Sequence, residues 1–159
     1  MKEHVDEHKD DLDHIDAELA GAHRTVERRI DPGPTALGVT IGVLLVVVSL
    51  VLPWTGDVQG WSVLAGTDWI GPLPRLFSFI ALGVGVVLST LTLSLRWWFL
   101  AWACAAGSGI SVITGVWAIW SRQTGVLQGG TGPGIGLVVA ELAVVVLAVS
   151  WVRIAGRRG

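Results

Sequence analysis

Beyond its first 31 positions this 159-residue sequence has very little charge. Asp, Glu, Lys and Arg make up 15% of the chain, and 15 of those 24 side chains fall within residues 1–31, leaving nine for the other 128. A soluble domain carries about 25% charged residues, and so few cannot cover a solvated surface. That excludes a cytoplasmic enzyme of ordinary build and predicts an integral membrane protein. Tyrosine is absent and Cys104 is the single cysteine. It lies in an apolar stretch, can form no intramolecular disulfide, and leaves the redox compartment open. No basic patch interleaved with aromatics is present, so nucleic-acid binding is not expected. The acidic, polar start has no basic n-region followed by an apolar core, and no cleavable signal peptide is expected. There is no Ser/His/Asp arrangement, phosphate-cradling loop or paired carboxylate set outside the acidic segment. The sequence therefore predicts no enzyme and no cofactor.

What is present is apolar. Hydrophobic residues make up 52% of the chain and the mean hydropathy is +0.63. A membrane helix needs about 20 mainly apolar residues, and four stretches qualify: 36–54, 76–95, 97–120 and 134–152. Pro53-Trp54 closes the first, and Pro72 and Pro74 precede the second, where proline suits a helix entry. Only Arg96 separates the second stretch from the third, so these two must form a tight antiparallel hairpin. The expected fold is all-α: a four-helix transmembrane bundle over residues 36–159, a Pro/Gly linker at 32–35, and an acidic amphipathic cytoplasmic helix over 1–31.

Short cytoplasmic flanks retain Lys and Arg. Arg24, Arg28, Arg29, Arg96, Arg153, Arg157 and Arg158 fall on one side of this arrangement, and Arg75 and Arg122 on the other. Both termini are then cytoplasmic in a multi-pass plasma-membrane protein. The nine tryptophans fit the two interfaces, with Trp54, Trp61, Trp69, Trp117 and Trp120 outside and Trp97, Trp98, Trp102 and Trp151 inside. Indole prefers that depth.

Lipid-embedded helices associate where small residues let backbones approach. Such residues recur at four-residue spacing as Gly38 and Gly42, as Ala81, Gly85 and Ser89, as Ala103, Gly107, Ser111 and Gly115, and as Gly132, Gly136 and Ala140. These faces either close the bundle on itself or dock a partner helix. In the N-terminal segment Val5, Leu12, Leu19 and Val26 repeat every seven residues, with Ile15 and Ala22 between them. That is an amphipathic helix. With ten carboxylates it opposes an anionic leaflet, so its stripe (Val5, Leu12, Ile15, Leu19, Val26) is a candidate protein-binding face. His4 and His8 share one helical face and Asp11 lies nearby, a spacing a metal can use; an exposed His/Asp-rich helix is equally a solvated face, and no metal site is assigned. All four histidines (His4, His8, His14, His23) precede the first span. Bis-histidine haem ligation within the bundle is thereby excluded.

Glu141 is the single acid within a span. An intramembrane ionisable residue is a functional candidate by default. With no base at its depth, desolvation leaves its carboxyl protonated. Ser89, Thr90, Ser108, Ser111 and Thr114 are hydrogen-bond partners within its reach, which makes it polar glue, an inter-subunit contact or a proton- or cation-binding site. In the glycine-bearing loop 55–73 a short interfacial helix is expected around residues 61–64.

Leu52-Pro53-Trp54, the Gly60-Trp61 loop and a bias of nine Arg to two Lys resemble the small four-span membrane proteins of actinobacteria. That resemblance implies a non-catalytic accessory subunit of an assembly such as the cytochrome bcc/cytochrome oxidase supercomplex, and transfers no functional residue. The sequence alone therefore points to an accessory or scaffold subunit whose partners are membrane lipid, other membrane subunits and a further copy of itself. The alternative is a small oligomeric transporter or channel component using Glu141.

Overall fold

The computed structural model describes residues 33–127 and 129–157. The N-terminal candidates, Val5, Leu12, Ile15, Leu19 and Val26 with the histidines and Asp11, lie outside the described residues.

Helix α1 runs Thr35–Val51. It stops three residues short of the expected limit, because Pro53 lacks the N–H a helix needs and Leu52 has turned to extended backbone. Pro53–Thr55 (β1) then pairs antiparallel with Val58–Gln59 (β2) in a small hairpin. Sequence reasoning missed this hairpin, since two to three residues give no readable alternation. Helix α2, Gly60–Ala65, covers the short helix expected there and ends at Gly66, whose φ of 77° is the left-handed cap glycine favours. Trp61 is exposed while Val63 is buried on its other face.

Helix α3, Pro72–Leu95, starts four residues before the expected point, with Pro72 at its first position. Its middle, Ala81–Leu88, is wound as a π-helix, a widened turn that shifts the register of the faces on either side. Arg96 alone turns the chain, with a left-handed φ of 56° and its N–H bonded to the Thr92 carbonyl at 2.7 Å. Helix α4, Trp98–Val126, runs six residues past the expected end, and α5 spans Ile135–Gly156. The secondary structure of the described residues is thus helical apart from one minimal hairpin.

Helix α5 is the central helix: it packs along both α1 and α4 and reaches the π segment of α3. Its buried residues run from Gly136 to Ala155 and include Leu137, Val144, Leu147 and Trp151. Small residues admit these contacts. A Cβ on Gly38 would meet Ser150, one on Gly42 would lie 2.7 Å from Leu147 Cγ, and one on Gly107 would lie 2.9 Å from Val84. Ala81, Gly85 and Ser89 form a buried line on α3. On α4 the stripe is only partly seated. Ser111 and Gly115 are buried, but Ala103 and Gly107 are half-buried because the packed face runs through Cys104, Ala105 and Ser108 instead. Gly136 and Ala140 are buried on α5, whereas Gly132 precedes the helix, facing Val126.

The outside is apolar. Leu37, Leu44, Val51, Phe79, Val87, Phe99, Ile113, Leu142 and Val152 are among many large hydrophobic residues exposed on the perimeter. Helices α3, α4 and α5 are long and apolar enough to cross a membrane, and α1 is a shorter apolar helix. Two of the nine tryptophans are not surface anchors. Trp54 is 1% exposed, donates to the Ser49 carbonyl at 2.8 Å and packs on Phe77; Trp151 is 0% exposed and donates to Ser89 Oγ at 2.9 Å.

Candidate functional site

Two polar constellations interrupt the apolar interior. The first surrounds Glu141, on the second turn of α5 and 8% exposed. A Cβ on Gly115 of α4 would run into its carboxylate and would lie 2.8 Å from the Phe77 ring of α3. Glycine at 115 is therefore what lets the acid sit between the helices. Its Oε2 is buried without a hydrogen-bond partner.

Three of the hydroxyls within reach of Glu141 donate elsewhere. Ser89 Oγ donates to the Val84 carbonyl, Thr90 to Val86 and Thr114 to Ser111, all within their own helices. Hydroxyls of this kind bond back to the preceding turn when nothing closer competes. Ser108 and Ser111, 1% exposed, have buried Oγ atoms with no partner either.

The second constellation centres on Arg122, near the end of α4. Its Nη1 donates to the Ile70 carbonyl at 3.2 Å; Nη2 donates to the Thr131 carbonyl at 2.8 Å and to Thr55 Oγ1 at 3.2 Å. Thr55 Oγ1 also donates to the Gly132 carbonyl at 2.8 Å, and the Gly134 N–H meets the Trp54 carbonyl at 2.6 Å. One guanidinium thus ties β1, the loop leading into α3, the end of α4 and the approach to α5 into a knot. Sequence reasoning treated Arg122 only as a flank charge. Its spacing to Thr55 and Thr131, 67 and 9 residues away, carries no local signal. Arg75 is a further unforeseen contact, its guanidinium lying 5.9 Å from the Trp69 ring centroid and 5.8 Å from that of Phe79. Cys104 is buried, 3.1 Å from Thr92 Oγ1.

The family model for the MiaB C-terminal domain matches residues 16–159. The chain belongs to the MiaB C-terminal domain family. It is also 45% identical over 161 residues to a protein of Mycobacterium avium (strain 104) named tRNA-2-methylthio-N(6)-dimethylallyladenosine synthase, a match covering 94% of this chain and 22% of that protein. The chain thus spans about a fifth of the curated relative's length. No solved structure matches it.

Membership of this domain family corrects several expectations drawn from composition. The resemblance to accessory subunits of a respiratory supercomplex is overturned, and with it both the scaffold-subunit reading and the transporter alternative. The expectation of no enzyme conflicts with the relative's name, which is that of a synthase. The exclusion of nucleic acid and the partner set of lipid and membrane subunits conflict in the same way with that name, which specifies tRNA. The plasma-membrane localisation with both termini cytoplasmic is likewise withdrawn. The physical reason is common to all of them. Charge counts and flank asymmetries treated 159 residues as a free-standing protein, whereas in the relative the corresponding stretch is a minor part of a long enzyme.

Proposed function

We propose that this chain is the C-terminal domain of a tRNA-modifying enzyme of the MiaB type, whose product is the 2-methylthio derivative of N6-dimethylallyladenosine in tRNA. The supporting observation is the 45% identity across 94% of the chain to a synthase bearing that name. The helical domain contributes a compact element centred on α5 and fastened at one end by the Arg122 knot. With this reading goes a finer one for the fold, a four-span transmembrane bundle. Three helices of 22 to 29 residues support it, because about 20 apolar residues suffice to cross.

Deleting the coding segment for residues 33–157 in frame, followed by mass spectrometry of digested tRNA, tests the functional reading. The expected result is a several-fold rise in N6-dimethylallyladenosine at the expense of its 2-methylthio derivative, reversed by restoring the segment. An unchanged nucleoside ratio refutes it. Sedimentation of the protein with membranes after alkaline carbonate washing tests the bundle reading separately; full release into the supernatant refutes that one.

A further inference from the structure

The two ends of the helical domain differ in charge. At the hairpin end, Arg75 and Arg122 are matched in number by Asp57 and Asp68. At the other end α1 begins, α3 turns into α4 at Arg96, and α5 stops. A Cβ on Gly38 would meet Ser150 there, and the Trp98 indole donates to the Ala155 carbonyl at 3.3 Å. Arg153 and Arg157 are exposed and Arg96 is half-buried. Glu141, the remaining acid among the described residues, sits on the second turn of α5, about 18 Å along the helix from Arg153. No described acid therefore faces this arginine-bearing end. Trp97 and Phe99, 61% and 73% exposed, add apolar surface beside Arg96.

What this end lacks, the preceding sequence has. Residues 1–31 hold ten acids against five bases, with Val5, Leu12, Ile15, Leu19 and Val26 recurring among them. The chain passes from that segment into α1 at this same end. We infer that residues 1–31 dock across the arginine-bearing end, their carboxylates against Arg153 and Arg157 and their apolar residues against Trp97 and Phe99. Reach permits it. Helix axes pack about 8–10 Å apart, so the end of four helices is about 20 Å across. The interval from Glu18 to Gly33 covers about 50 Å when extended and about 22 Å as helix. A single exposed ion pair contributes little, but the tether makes each encounter intramolecular and lets several weak contacts act together. A surface of arginine and exposed tryptophan also suits RNA. The acidic segment weighs against that occupant, because it enters at the same end and repels phosphate.

Zero-length carbodiimide coupling on the full chain tests this, since it joins a carboxylate only to an amine in contact with it. The native lysines, Lys2 and Lys9, both fall within residues 1–31. Arg153→Lys with Arg157→Lys therefore introduces amines at the arginine-bearing end, and Arg75→Lys supplies a control amine at the hairpin end. Peptide mass spectrometry is expected to find links from positions 153 and 157 to carboxylates between Asp10 and Glu18, many-fold more than from position 75. They should be lost in about 1 M salt, where the screening length is about 3 Å. Links confined to Glu27 and Asp31 overturn the proposal, because proximity along the chain alone would give them. Equal coupling from position 75 overturns it as well. In a mixture of isotope-labelled and unlabelled chains, links that join the two kinds as often as random mixing allows would assign the surface to a second copy and overturn it. So would an absence of links, and protection of Trp97 and Trp98 from acrylamide quenching by added tRNA would then identify RNA as the occupant.

Discussion

A close approach between α1 and α5 makes a quantitative prediction. On α1, a Cβ at Gly42 would lie 2.7 Å from Leu147 Cγ, 2.8 Å from Leu147 Cδ2 and 3.3 Å from the Ala143 carbonyl oxygen of α5. Leu147 is fully buried and cannot swing away without displacing its neighbours, and the carbonyl is fixed backbone. On α4, a Cβ at Gly109 would meet nothing within 4 Å. Replacing a helix-interior glycine by alanine gains about 1 kcal/mol of helix propensity at either position, so that contribution cancels in the difference. What remains is overpacking at position 42, about 1–3 kcal/mol. Gly109→Ala should therefore stabilise the domain by about 1 kcal/mol, and Gly42→Ala should fall below it by about 1–3 kcal/mol, roughly 5- to 150-fold in the unfolding equilibrium constant. Denaturant titration in mixed micelles, followed by tryptophan fluorescence, measures both variants under one condition. Equal shifts for the two would refute the reasoning, because α1 and α5 could not then approach as closely as Gly42 and Leu147 require.

Three further predictions rest on single contacts. Trp151→Phe removes the indole N–H that meets Ser89 Oγ and should cost about 1 kcal/mol, read as a lower denaturation midpoint; an unchanged midpoint would count against that bond. Arg122→Met keeps the stem but loses the donors to Ile70 and Thr131, so amide exchange at Gly134 should quicken several-fold while exchange in the middle of α5 does not, and uniform acceleration would mean that the knot is not a local fastening. Brominated acyl chains should quench Trp97, Trp117 and Trp120, each more than half exposed, far more than a variant retaining only Trp54 and Trp151; equal quenching would refute the assignment of those two to the interior.

Much of the helical layout is legible in the sequence because it follows from local facts. A single Arg96 between two apolar runs leaves room for only a tight reversal, and Pro72 marks a helix entry through its missing N–H. What could not be read depends on partners distant along the chain. The Arg122 knot joins Thr55, Ile70 and Thr131 across separate elements, and no periodicity announces such a meeting. The π winding of Ala81–Leu88 rotates the faces of α3 by an amount that strict four-residue counting cannot supply. For Glu141 the sequence identified the residue and missed its surroundings. Nearby hydroxyls were expected to bond it, but serine and threonine in a helix have a carbonyl one turn back within easy reach, and Ser89, Thr90 and Thr114 use theirs.

Function was the least legible level, for a reason rooted in what composition measures. An apolar perimeter, such as the exposed Leu, Val, Ile and Phe side chains form here, reports the polarity of what a surface contacts. It does not report what chemistry is joined to that domain. The inference from sparse charge to "not an enzyme" assumed that the catalytic set must lie within the same 159 residues, yet the synthase relative is matched over only 22% of its length. A charge-poor helical bundle and a tRNA-modifying activity conflict only if one folded unit must carry both. Deleting residues 33–157 separates the two levels. Loss of the methylthio nucleoside would support the proposed role of the apolar domain in that activity, and an unchanged nucleoside ratio would refute it.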